Sequence, residues 1–187
     1  MFIKMLQIVV PEMELFDNDK NEFIKINRTE LQLEHSLISL AKWESKWHKP
    51  FLGKEKKTTI EVIDYIRCMT LTKNVDPNVY QFISDKNLKQ IYDYINDPMT
   101  ATWFNKTDEV KSGIGRRDVI TAEIIYYWMV TLNIPVQFEK WHLNRLITLI
   151  KVVNIKNTPS KKMSKGDVLK QNAKLNAARR AQHKSKG

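Results

Sequence analysis

The sequence predicts an α+β fold, mainly α-helical, in which a small N-terminal antiparallel β-sheet precedes a helical domain and a basic C-terminal helix or tail. Three observations carry this. β-Branched and partly alternating apolar runs lie before residue 35, and apolar spacing of three and four residues takes over from His35. Past Asn157 large apolar residues thin out while lysine and arginine accumulate. The implied organisation is a globular body over 1–157, β-rich in 1–34 and helical in 35–157, then a basic linker and helix or tail over 158–187.

Each element has a local reason. Residues 2–10, FIKMLQIVV, suit a strand, and Pro11 ends the run because it brings no amide hydrogen to a ladder. Glu22–Ile26 and Thr29–Glu34 partly alternate apolar with polar residues, with Asn27-Arg28 placed for a two-residue hairpin turn. From His35, Leu37, Leu40, Ala41 and Trp43 or Trp47 form a helical stripe that Pro50 stops. After the polar connection 51–59, Thr58 and Glu61 make a capping box ahead of Ile60, Val62, Ile63, Ile66 and Met69. Asp76-Pro77 opens a short helix, and Ser84 or Asp85 starts another with Leu88, Ile91, Tyr92 and Ile95 on one side. Residues 99–117 read as a loop. A helix over Asp118–Leu132, capped by Asp118, is apolar around most of its circumference and is expected to be buried on most sides. Phe138–Val153 sets Lys140, Asn144, Thr148 and Lys151 opposite Leu143, Leu146, Ile147 and Ile150, an amphipathic neighbour joined to it by a short Asn-Ile-Pro link. Ser164 with Asp167 can cap a last helix over Val168–Arg180, whose three large apolar residues are too few to hold so short a helix without a partner.

Composition excludes several classes. At 187 residues and 42% hydrophobic, the chain fits one soluble domain, or one with an appendage. No run approaches the roughly 18 apolar residues of a membrane span, and acids with Pro11 follow the N-terminal apolar run where a cleavage site would lie. One cysteine, Cys68, supports neither an internal disulfide nor a cysteine-rich zinc site, which fits a reducing cytoplasm. Five glycines make a glycine-lined phosphate loop improbable. Ser112-Gly113-Ile114-Gly115-Arg116-Arg117 lacks the Lys-Ser/Thr of a P-loop and reads as a flexible loop; were a phosphate bound there, Arg116 and Arg117 would hold it.

No catalytic, metal or cofactor set stands out. His35, His48, His142 and His183 fall in no ligand spacing. Glu34-His35-Ser36 holds the residue types of a hydrolytic triad, but adjacent positions point different ways. Cys68 falls near the apolar side of its helix, as a buried thiol does. Trp128 and Trp141 sit on the two core helices. Trp43, Trp47 and Phe51 belong to a segment in which charge alternates with rings; they are either core or, if exposed, a protein interface.

The net charge of +10 is concentrated in the tail. From Pro159 to Gly187 nine lysines and arginines stand against Asp167 alone, whereas residues 1–158 hold twenty-two basic and twenty acidic residues. Lys161, Lys162, Lys165, Lys170, Lys174, Arg179 and Arg180 are thus candidate contacts for an anionic partner. A tail without aromatics cannot stack on bases, and its apolar face is small for a membrane, so an acidic protein surface ranks narrowly ahead of nucleic acid.

Residues Leu33-Glu34-His35-Ser36-Leu37-Ile38-Ser39-Leu40-Ala41-Lys42-Trp43-Glu44-Ser45-Lys46-Trp47 and Arg117-Asp118-Val119-Ile120-Thr121-Ala122-Glu123, with the Ala/Asn/Arg-rich ending Asn172–Arg180, resemble tail-morphogenesis proteins of tailed bacteriophages, closest to tail assembly chaperones. The resemblance runs over residues 30–153. It implies a non-enzymatic factor of the host cytoplasm, without cofactor, that keeps the tape-measure protein soluble while tail-tube subunits assemble around it, in a family often made in short and frameshift-extended forms. A structural virion protein, such as a head–tail joining or baseplate component, or a nucleic-acid-binding accessory protein acting through the tail, would share the composition. Homo-oligomerisation is open.

Overall fold

A computed structural model describes residues 5–17, 21–104, 119–157 and 165–183. Four strands, β1 (Leu6–Val10), β2 (Met13–Asp17), β3 (Glu22–Ile26) and β4 (Thr29–Leu33), lead into the helices α1 (Leu37–Trp47), α2 (Thr59–Met69), α3 (Asp85–Asn96), α4 (Ala122–Thr131), α5 (Leu143–Asn157) and α6 (Lys165–His183). Short 3-10 turns cover Pro77–Phe82 and Val136–Lys140. The fold is α+β and mainly helical, as expected from the change of apolar period at His35.

The strands are arranged differently from the expected Asn27-Arg28 hairpin. β1 pairs antiparallel with β4, and β2 with β3. Val10 faces Thr29 and Met13 faces Ile26, so both pairs share one register and form a single ribbon. Pro11, which cannot donate to a ladder, interrupts it opposite Asn27-Arg28. The chain resumes pairing after the proline, a strand that the run ending at Pro11 concealed, and reverses between Asp17 and Glu22. In the inner half, Ile8, Val10, Leu31 and Leu33 face the core while Gln7, Val9, Glu30 and Gln32 face out, the period-two alternation of a half-buried sheet. Both inner edges are covered: Leu71 N–H donates to the Gln32 carbonyl at 2.8 Å, and Asn87 Nδ2 to the Val9 carbonyl at 2.9 Å.

Helix α1 starts at Ser36, whose hydroxyl accepts from Ser39 N–H, and ends at His48 in the left-handed region (φ 51°), two residues before Pro50. The Thr58–Glu61 capping box forms on α2, and Ser84 caps α3. One side of α1 puts Trp43 in an apolar core with the inner ribbon, α2, α3 and the first 3-10 turn. Its other side puts Leu37 and Leu40 in a second core with Ala122, Ile125 and Met129 of α4 and Leu143, Leu146 and Ile150 of α5. α4 and α5 thus share one core, but the backbone of α4 approaches α1 more closely than α5, so the expected side-by-side packing of the two linked helices gives way to packing about α1.

Two helix starts differ from expectation. α4 begins at Ala122 rather than Asp118, because the buried Glu44 carboxylate accepts the Ala122 N–H at 2.7 Å and caps the helix from a distance. It is also not buried on most sides: Tyr127 and Val130 are 66% and 74% exposed. α5 begins at Leu143, since residues 136–140 tighten into the 3-10 turn and Trp141 stacks on Phe138 at 4.0 Å. Asn144 points inward, donating to the carbonyls of Ile95 and Asp97 at 2.9 Å.

The chain divides into two compact units, Met1–Ile155 and Lys156–Gly187, two residues before the expected break. α6 runs three residues beyond the expected helix at each end. It is helical in the single chain, where its apolar content alone suggested an unordered segment; its alanines, glutamines, lysines and arginines favour the helix intrinsically. Every side chain from Leu169 to Arg180 is exposed.

Candidate protein-binding groove

Between α2 and α3 the surface opens into a groove of about 540 Å³. Helical spacing builds both walls: Val62, Tyr65 and Ile66 lie on one face of α2, and Leu88, Ile91, Tyr92 and Ile95 on one face of α3. Phe51 closes one end, its ring stacked on Tyr65 with centroids 3.8 Å apart. Lys57 Nζ sits 4.6 Å from the Phe51 ring centre, and Lys89 stands on α3. Among the described residues neither lysine pairs with a carboxylate. The result is an apolar trough with cations beside it.

Behind Tyr65 lies a sealed polar seam. The Tyr65 hydroxyl is hydrogen-bonded to His35 Nδ1 at 2.7 Å, and the rings of His35 and His142 are 5.0 Å apart. His142 Nε2 is 2.9 Å from the Tyr94 carbonyl, which can only accept, so the proton resides on Nε2. Nδ1 of the same ring is buried without a hydrogen-bond partner among the described residues. Burial, with His142 adding to it, pushes His35 down to about 3, and burial also lowers His142 and raises the Tyr65 phenol. All three groups are neutral near pH 7 and buried. They brace β4, α1, α2 and α5 at one junction: His35 accepts the Leu143 N–H through its carbonyl at 2.8 Å, and Ser36 bridges to His142.

The three aromatic candidates separate. Trp43 is 1% exposed and donates from Nε1 to the Glu61 carbonyl at 2.9 Å, so it is a core residue and not an interface residue. Trp47 is half-buried, with Nε1 donating to Asp64 Oδ2 at 2.8 Å. The intervening charges do not keep the rings in water. Instead Glu44 turns inward, and Lys46 and Lys49 reach across to Asp64 and Glu61 on α2. Lys49 and Thr58 hold the Glu61 carboxyl down to about 2. Phe51 alone of the three lines the groove. The α3 wall was the missed part; its stripe reads as ordinary core, and only the exposure of Tyr92 at 67% separates wall from interior.

Among the cationic candidates, Lys170, Lys174, Arg179 and Arg180 are exposed on α6. Lys161 and Lys162, the Lys165 side chain, Ser164 and the Arg116-Arg117 loop lie outside what is described. Cys68 is half-buried, and burial raises its thiol. Among the described residues no three His, Cys, Asp or Glu converge as metal ligands, and no helix is long and apolar enough to cross a membrane. Comparison of the chain with protein-family models, curated proteins and solved structures finds no match.

Proposed function

We propose that this protein works by binding, as a phage tail assembly chaperone that seats an apolar helix of the tape-measure protein in the α2–α3 groove. The single observation carrying this reading is the groove itself: an open, ready-made apolar trough on an otherwise well-packed body, with a volume inside the roughly 300–1,000 Å³ range of ligand-sized clefts. Helix-in-groove recognition uses such a surface, with client residues at i, i+3, i+4 and i+7 as anchors. The resemblance over residues 30–153 names the client, and exposed cations of α6 offer an acidic partner surface a second attachment. Action belongs to the host cytoplasm, before the particle is complete.

Co-expression tests it. Wild-type chain should raise the soluble fraction of the tape-measure protein several-fold, and Val62→Glu with Tyr92→Glu should abolish the gain while leaving this protein folded. Equal client solubility with and without the chain would refute the reading. The runner-up, a structural virion protein, draws on the exposed outer ribbon; mass spectrometry of purified particles separates the two, since a chaperone is absent from the finished particle.

A further inference from the structure

The outer half of the ribbon, β2 with β3, reaches a core through Ile26. Among the described side chains of β2 and β3 no other is a core residue, and the two strands lean chiefly on each other. Near the tip, Phe16 and Phe23 pair edge to face with centroids 5.0 Å apart, yet remain 46% and 73% exposed. Unlike the inner half, neither outer edge receives a hydrogen bond from another element among the described residues. An exposed aromatic pair on a projecting two-stranded ribbon is an aggregation liability unless something covers it.

The groove supplies a matching cover. Residues 12–25 carry five acids, Glu12, Glu14, Asp17, Asp19 and Glu22, against Lys20 and Lys25, a net charge of −3. The trough is apolar and carries Lys57 and Lys89, which have no carboxylate partner among the described residues. Ribbon and trough are complementary in both apolar character and sign, and a cationic occupant is disfavoured by the same lysines. Within one chain the two do not meet, because Phe23 lies open to solvent. We propose that the outer ribbon of one copy docks in the α2–α3 groove of a second copy, with Phe16 and Phe23 entering between α2 and α3 and the net-negative ribbon set against Lys57 and Lys89.

Such a contact joins two different patches, so it is head-to-tail and builds rings or open chains rather than a closed two-fold dimer. It rests on the groove but not on the identity of the client; a client helix would compete with the ribbon for the same trough.

Sedimentation of the full chain from micromolar to hundreds of micromolar is the experiment, with two variants at exposed positions, Phe23→Ser in the ribbon and Tyr92→Glu in the groove. Circular dichroism and urea midpoints verify that both fold. Wild type should pass from monomer to species larger than dimer, each variant alone should stay monomeric, and an equimolar mixture should give a one-to-one heterodimer, since one intact ribbon then meets one intact groove. Raising the salt should weaken the wild-type association several-fold. A monomeric wild type at every concentration would overturn the proposal, as would a mixture that stays monomeric or an association that survives both substitutions. None of these results touches the client-solubility assay, so the chaperone reading stands or falls separately.

Discussion

Glu44 does for two segments what no local residue does. One carboxylate oxygen accepts the Phe51 N–H and the other the Ala122 N–H, each at 2.7 Å, so an acid on α1 fixes both the entry to the groove and the start of α4. Glu44→Ala would leave a buried and a partly buried amide donor unsatisfied, and we expect a loss of about 2–4 kcal/mol in urea unfolding, since a fully buried orphaned donor costs roughly 1–3 kcal/mol and a partly buried one less. Glu44→Gln should lose less, because it keeps one acceptor. Neither role was legible in the sequence, where Glu44 sits among charges and rings like a solvated residue; partners 7 and 78 positions away leave no local trace. The buried histidines have a different signature. His35 has a folded-state pKa near 3, well below its ordinary 6.5, so between those values the unfolded chain binds a proton that the native chain refuses. Its neutral form is fully accommodated above pH 6.5, and stability falls as pH drops toward 3, by about 1.4 kcal/mol per pH unit for each such histidine. Urea midpoints from pH 7 to 4.5 should decline more steeply for wild type than for His35→Gln. Parallel curves would show that His35 does not set the slope.

Helix termini and strand pairing differ in how far sequence reveals them. The Thr58–Glu61 box and the Asp76 and Ser84 caps were readable because a cap is a short-range contract between residues two or three apart. β2 was not, because Pro11 looks like an ending, whereas pairing is broken on both sides only over two residues and resumes at Met13 opposite Ile26. The same proline bears on protection: amides of Met13–Phe16 should exchange with deuterium faster than those of Ile8 and Val10, because among the described residues no other element bonds to an outer edge and only Ile26 of the outer half is buried. Comparable protection in both halves would mean that the outer ribbon is already clasped. At the end of α1, His48 holds a left-handed conformation that glycine adopts without steric cost. His48 is exposed, so His48→Gly should stabilise the protein by about 0.5–1 kcal/mol, measured as a raised urea midpoint. The groove was half legible: both walls appear as apolar stripes, but how far apart two helices come to rest is a tertiary fact.

Over the whole molecule the charge division is the feature that sequence conveyed best, because a formal charge needs no fold to be counted. Among the described residues the buried core lies between Ile8 and Ile150, so ending the chain at Asn157 removes no described core residue. The truncated protein should unfold at an unchanged urea midpoint, while any binding to polyanions that depends on the tail should vanish along with its steep salt dependence. Residual salt-sensitive binding by the truncated chain would instead direct attention to the body. What the charge pattern could not reveal is that the body holds two apolar masses divided by one helix. Leu37 and Leu40 face one, Trp43 the other, and Phe51 touches both. Because α1 is a party wall, neither chamber can melt and leave the other standing. Heating should therefore give a single calorimetric peak for residues 1–155, and damage to the wall should be felt as far away as the ribbon and α5 alike.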